Sequence, residues 1–274
     1  MQVAAIQMVS TGVVQANLAQ AGLLLEQAAK ADAELAVLPE YFCLIGQHDG
    51  EKLAIQEQFG SGPIQDFLSQ QARRLGLWIV GGTLPLSTSP NGDSDKVFNS
   101  SLAFDPQGNC AARYDKIHLF RFDNGSESYD ESRVLQAGHQ PVQFALPSRD
   151  GHVWTVGMSV CYDLRFAELY RTHSAAGADL LLVPSAFTYT TGQAHWELLL
   201  RTRAVENLSF VVAAAQGGTH PNGRRTWGQS LAIDPWGAVL AQQAQEPGVV
   251  LAELEAAHLA RCRMQLPALQ HRLL

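Results

Sequence analysis

The sequence predicts an α/β fold in which two related sheets pack face to face, with helices outside. The order strand, helix, strand, helix, strand, hairpin runs twice along the 274 residues. Two pairs of segments fix the register of the repeat: "SLAFDPQG" (101–108) matches "SLAIDPWG" (230–237), and "LAVLPE" (35–40) matches "LLLVPS" (180–185). The near-continuous apolar runs in these strands suit sheets covered on both faces.

The first half opens with the strand "VAAIQM" (3–8), followed by an Ala- and Leu-rich helix over 15–31 and the strand "ELAVLPE" (34–40). Helix "IQDFLSQQARRLG" (64–76), strand "LWIVGGTL" (77–84) and a hairpin over 101–114 complete it. The second half repeats the series with a strand at 153–160, a helix near 166–177 and the strand "ADLLLVPSAF" (178–187). A helix over 195–208, a strand over 209–216 and a hairpin over 230–242 follow. Both hairpins turn on D-P-x-G, where proline presets one φ and glycine admits a positive one.

Charged residues make up 16% of the chain, against a typical ~25%. That shortage of charge favours surface withdrawn from water by oligomerisation. The net charge of −7 argues against nucleic acid, which needs clustered Lys and Arg. The compact basic groups "GRRTW" (223–227) and "RCR" (261–263) are too short to form a stripe. A small anionic substrate stays open, because one arginine in a pocket is enough. Cys43, Cys110, Cys161 and Cys262 are widely spaced, which excludes a CxxC metal or redox motif and gives no disulfide framework. The N-terminus reads as a strand and not a signal peptide, and no apolar run reaches the ~20 residues of a membrane helix. The expectation is a cytoplasmic protein with no membrane partner.

Three residues stand where apolar strands or hairpins meet loop: Glu40, Lys116 and Cys161. Each has an ordinary reading, as a helix cap, a solvated lysine and a buried filler thiol. Together they make chemical sense. A thiol of pKa ~8.5 is mostly protonated at neutral pH and needs a base or a nearby cation. Glu40 would accept the proton and later activate water. Lys116 would favour the thiolate and then hold an oxyanion beside the backbone N–H of Tyr162. A cysteine–histidine pair is the competing mechanism, with His152, His173, His195 and His220 as candidates; His118 reads as a satisfied or surface histidine. No H-x-x-x-H cluster supports metal-dependent hydrolysis, so neither metal nor cofactor is expected.

The segments "LAVLPEYF", "RYDKIHLF" and "GMSVCYDLRF" resemble the three signature segments of the nitrilase, or carbon–nitrogen hydrolase, superfamily. The resemblance extends over nearly the whole chain. It implies one domain over 1–274, an αββα sandwich that pairs through its helices as a homodimer, and a tail or dimer-contact segment at about 255–274. It makes Glu40, Lys116 and Cys161 the catalytic triad and Glu131, in "YDESRVLQAG", a second glutamate that orients Lys116. Within the superfamily, the segment 185–230 is most similar to the branch of deaminated glutathione amidases, with the ω-amidases as the alternative. By that resemblance the substrate is a small amide with a 2-oxo acid end, and Arg165, Thr191 and His195 join Tyr162 in its pocket. Arg165 has a competing reading as an ion-pair partner of Asp163 or Glu168, and His195 as a helix-start contact. The loop "RFDNGSESYDE" (121–131) departs from the branch, with Arg121 in place of an acid and no proline. A scaffold that has lost turnover is the non-enzymatic alternative, against which the intact trio argues.

Overall fold

Strands Gln2–Gln7, Leu35–Val37 and Trp78–Val80 run parallel at the centre of the first sheet, with Val97–Phe104 antiparallel beside them. The computed structural model describes residues 1–89 and 95–273. Successive strand residues point to opposite faces. Val3, Ala5, Leu35, Val37 and Val80 therefore enter the core shared with the other sheet. Ala4, Ile6, Ala36 and Ile79 face the other way, onto Ala21 and Leu25 of helix Val14–Lys30 and Leu68 and Ala72 of helix Pro63–Leu75.

The second sheet repeats this pattern. Val153–Met158, Leu180–Leu182 and Phe210–Ala213 run parallel, and Ser230–Ile233 is antiparallel beside the last of them. Helices Ala167–Ala175 and Tyr189–Asn207 cover its outer face through Leu169, Trp196 and Leu200. Helix, sheet, sheet and helix thus form the four layers of an αββα sandwich. The duplication extends to fine detail. The two hairpins slip register at the same place, between Ala103 and Phe104 and between Ala232 and Ile233. Asp105 Oδ1 accepts from the N–H groups of Gln107 and Asn109, as Asp234 Oδ1 does from Trp236 and Ala238.

Three elements differ from the sequence reading. The strand expected over 77–84 is two strands, Trp78–Val80 and Leu84–Ser87, because the chain turns at Gly81 and Gly82. Gly82 has φ +50°, and a Cβ there would collide with the Pro39 carbonyl. This close approach packs the turn against the residue before Glu40. The helix expected from 195 starts at Tyr189, where Thr188 caps it by accepting from the Thr191 N–H. No helix starts at Tyr41, which takes φ +56° and turns the chain instead.

Helix Ala256–Gln265 buries Leu259 and Cys262 against its own chain, and Arg263 pairs with Asp179 at 2.8 Å. Among the described residues no helix is long and apolar enough to cross a membrane.

Candidate active site

Glu40, Lys116 and Cys161 come from three strand ends that the sandwich brings to one point. Glu40 follows Leu35–Val37, and Lys116 follows Cys110–Asp115. Cys161 begins the short helix Cys161–Arg165 after Val153–Met158. Lys116 is fully buried, so it is not a solvated lysine. Its Nζ donates to Glu40 Oε1 at 2.9 Å and to Glu131 Oε2 at 2.8 Å. Backbone bonds hold it on both sides, from its N–H to the Asn99 carbonyl and from the Gly138 N–H to its own carbonyl.

Glu40 is 1% exposed, and both its oxygens accept hydrogen bonds. Oε1 also accepts from Asn99 Nδ2 at 2.9 Å, and Oε2 accepts from the Ala186 N–H at 2.9 Å. Ala186 lies just past the end of the strand equivalent to Glu40's own, so the two halves of the duplication meet at this carboxylate. Glu131 accepts from Tyr41 Oη at 2.7 Å and from the Phe120 N–H at 2.7 Å. Tyr41 and Asn99 are thus parts of the site that the sequence reading missed. Tyr41 stands within a quoted signature segment, whereas Asn99 carries no local signal.

Two carboxylates on one buried ammonium fix the charges. Burial opposes the charged lysine, but Glu131, Glu40 and Cys161 outweigh it and raise the Lys116 pKa above its ordinary value. Burial likewise opposes the Glu131 carboxylate, yet Lys116 and the hydrogen bonds to it hold its pKa below the usual range. Burial, then the neighbouring Glu40, pushes the Cys161 thiol well above its ordinary pKa, against the pull of Lys116. The resting sulfur is therefore a neutral thiol beside Glu40; Lys116 pulls it toward the thiolate, but burial and Glu40 outweigh that pull.

Cys161 itself sits at φ +51°, with its N–H donating to the Pro184 carbonyl at 3.0 Å. A non-glycine residue there stores of order 1 kcal/mol of strain, which the surrounding structure must hold in place. Asp163 does much of the holding. Its carboxylate accepts from the Val160 N–H, from Tyr114 Oη and from the His118 N–H. His118 also contacts Asp163 through Nδ1 at 2.7 Å and stacks on Phe166, so it is a satisfied histidine.

A narrow recess opens over Cys161, lined by Phe120, Tyr162, Arg165, Phe187 and Thr191 among others. Among the described residues Arg165 forms no ion pair with Asp163 or Glu168. Its guanidinium lies over the Tyr162 and Phe187 rings and meets His195 Nδ1 at 3.3 Å. Thr191 lines the recess, but its hydroxyl is shared with Thr188 at 2.8 Å. His195 is exposed in the second turn of its helix and is not among the recess-lining residues; it reaches the site only through Arg165. The unusual 121–131 loop folds as a hairpin of Arg121–Asp123 with Ser128–Asp130. Thr190 Oγ1 donates to Glu127 at 3.0 Å and ties that hairpin to the start of helix Tyr189–Asn207.

Among the described residues no histidine hydrogen-bonds Cys161, and no group of three or more His, Cys, Asp or Glu is placed to hold a metal. His173 bonds the Met158 carbonyl, and His152 approaches Asp179 at 3.5 Å. His220 is buried between the Ser10 carbonyl and Thr226 Oγ1, each at 2.8 Å. Burial lowers its pKa to about 4. In the unfolded chain the group titrates near ~6.5, so on acidification the unfolded state takes up the proton first. The stability that neutral His220 contributes is whole above ~6.5 and is lost as the pH falls to ~4, up to about 3 kcal/mol. Urea midpoints are expected to fall across this window, less steeply in His220→Asn. Equal slopes for the two proteins would contradict the assignment.

The carbon–nitrogen hydrolase family profile matches residues 2–264. The chain is 39% identical to the deaminated glutathione amidase of Synechocystis sp., over 98% of this chain and 97% of that one. It is 37% identical to the deaminated glutathione amidase of Homo sapiens, over 98% of this chain and 81% of that one. A Saccharomyces cerevisiae member of branch 10 of the nitrilase superfamily superposes with TM-score 0.85 at 29% identity, covering 97% of this chain and 94% of that one.

Proposed function

The chain belongs to the carbon–nitrogen hydrolase family, and from that membership we propose that it cleaves the amide of deaminated glutathione to 2-oxoglutarate and Cys-Gly. The observation that carries the mechanism is a neutral buried thiol beside Glu40, whose carboxylate shares Lys116 with Glu131. Glu40 takes the Cys161 proton as the sulfur attacks the amide carbon, and the oxyanion is held by Lys116 and the Tyr162 N–H. Glu40 returns the proton to the nitrogen of Cys-Gly, which departs and leaves a thioester. Water gives a proton to Glu40 and attacks the thioester carbon. The sulfur leaves, regains its proton and frees 2-oxoglutarate.

Glu131 and Tyr41 keep Lys116 aimed at the reaction centre. Arg165 offers a bidentate partner for the carboxylate beside the 2-oxo group. Thr191 shapes the same wall, and His195 steadies Arg165 from outside.

The test is release of 2-oxoglutarate from deaminated glutathione and from 2-oxoglutaramate, measured side by side. The expected result is a clear preference in kcat/KM for the tripeptide. A preference for 2-oxoglutaramate would make the protein an ω-amidase. Release from neither would overturn both substrate assignments, and a retired scaffold would turn over no amide at all.

A further inference from the structure

Beside Tyr41, separate in its lining from the Cys161 recess, lies a polar cavity of about 370 Å³. Tyr41, Lys52, Tyr129, Asn222 and Arg224 are among its walls. The mechanism above uses none of it except Tyr41. Two connections join it to the reaction centre. Tyr41 Oη bonds Glu131, and Arg224 Nη2 donates to the Ala186 carbonyl at 3.1 Å. The N–H of that same Ala186 donates to Glu40 Oε2. The cavity's guanidinium is therefore one peptide residue away from the general base.

The charges in the cavity are unevenly matched. Lys52 pairs with Asp49 at 2.7 Å. Among the described residues Arg224 forms no ion pair, and its Nε is buried without a hydrogen-bond partner. A guanidinium has five N–H donors, and here, among the described residues, it donates to one backbone carbonyl. The Tyr129 ring lies under it, 5.4 Å to the centroid. Its backbone is fixed at both ends, by the His220 N–H donating to its carbonyl and by its own N–H donating to Asn222 Oδ1. Asp49, which pairs with Lys52, lines the same cavity and feels this charge, but among the described residues no carboxylate lies within 4 Å of the guanidinium. The basic group "GRRTW", too short for a nucleic-acid stripe, here supplies a single charge to a pocket.

We infer that this cavity is the leaving-group subsite, in which Arg224 receives the C-terminal carboxylate of the departing peptide. The inference rests on the amidase reading above and deepens it. A deaminated glutathione molecule carries a carboxylate at each end, with the scissile amide between. Arg165 and Arg224 would take one each. The leaving peptide is two residues, about 7 Å when extended. The cavity's size lies at the small end of the ligand-pocket range, which fits a dipeptide. This subsite is what would separate the tripeptide from 2-oxoglutaramate, whose leaving group is ammonia.

The experiment compares deaminated glutathione with the same compound bearing a C-terminal glycinamide, in wild type, Arg224→Gln and Arg224→Lys. In wild type the acid is expected to exceed the amide in kcat/KM by about tenfold or more, the worth of a charged hydrogen bond. In Arg224→Gln that ratio should collapse toward one, and Arg224→Lys should keep part of it as a point charge. A wild-type ratio near one, or a ratio that survives Arg224→Gln, would overturn the proposal while leaving the amidase reading intact. Hydrolysis of neither compound by wild type would overturn the amidase reading and the proposal with it. If the variants do not fold, inhibition of wild type by Cys-Gly and by its C-terminal amide decides the matter; equal inhibition overturns the proposal.

Discussion

Cys161→Ala is expected to reduce 2-oxoglutarate release to the uncatalysed level, and Glu40→Gln to lower kcat by about 10²–10⁴-fold, the range of a general base. Both variants should fold. The alanine removes one small side chain from a site that is already a recess. The glutamine is harder to place. Glu40 accepts from Lys116 and Asn99 on one oxygen and from the Ala186 N–H on the other. An amide group must turn its NH₂ toward one of these donors, which costs about 1–3 kcal/mol. Domains of ordinary stability, about 5–15 kcal/mol, survive that. The catalytic loss is larger, because burial and the adjacent carboxylate hold the thiol protonated. Glu40 is the carboxylate that acts most strongly on the sulfur, so its loss removes the base that takes the proton. Wild-type-like turnover in a folded Glu40→Gln protein would refute the base assignment.

Lys116→Met is expected to destabilise the fold by about 3–5 kcal/mol at pH 7.5 as well as abolish turnover, because it breaks a buried ion pair. Two carboxylates now share Lys116 at 0% exposure. Without the ammonium they face one another, and at least one must hold a proton to remain buried. The folded-state pKa of the pair then lies above the unfolded ~4.3, the reverse of wild-type Glu131. A raised folded pKa contributes stability at low pH that is lost as the pH rises through it. The gap in unfolding free energy between wild type and variant should therefore narrow from pH 7.5 to pH 5. Urea titrations at both pH values read this directly. A variant as stable as wild type at pH 7.5 would show that Lys116 is not the charge that holds the two glutamates together.

Much of this was legible before any fold was known. The two D-P-x-G hairpins announce the duplication, and the structure repeats even their register slip. Glu40 and Cys161 were readable because each ends an apolar run, where a strand must deliver its next side chain to the cleft, and Lys116 because it directly follows the first hairpin. Element boundaries were less readable. Gly81 and Gly82 break a continuous apolar run because the chain there must approach the Pro39 carbonyl, a contact 43 residues distant for Gly82. The glycines show that a turn is possible; the neighbour that requires it is absent from the local sequence.

The sequence by itself determined the chemistry available: one thiol, one lysine and two glutamates at strand or hairpin ends, in segments of fixed order. Tertiary structure decided their charges and their company. A lysine after a hairpin is usually solvated, and only the meeting of the two sheets makes Lys116 a buried cation between two carboxylates. Arg165 could have paired with Asp163 next to it in the chain. The fold instead spends Asp163 on Tyr114, His118 and the Val160 N–H, and so leaves Arg165 facing the recess. Arg224 is one of 19 basic residues in composition. It becomes a candidate anion receptor because the second half of the chain sets it against Ala186, beside a cavity walled by the first half. Local sequence fixes which groups exist and which strands carry them. Desolvation and pairing depend on contacts far apart in the chain, and these decide what each group can do.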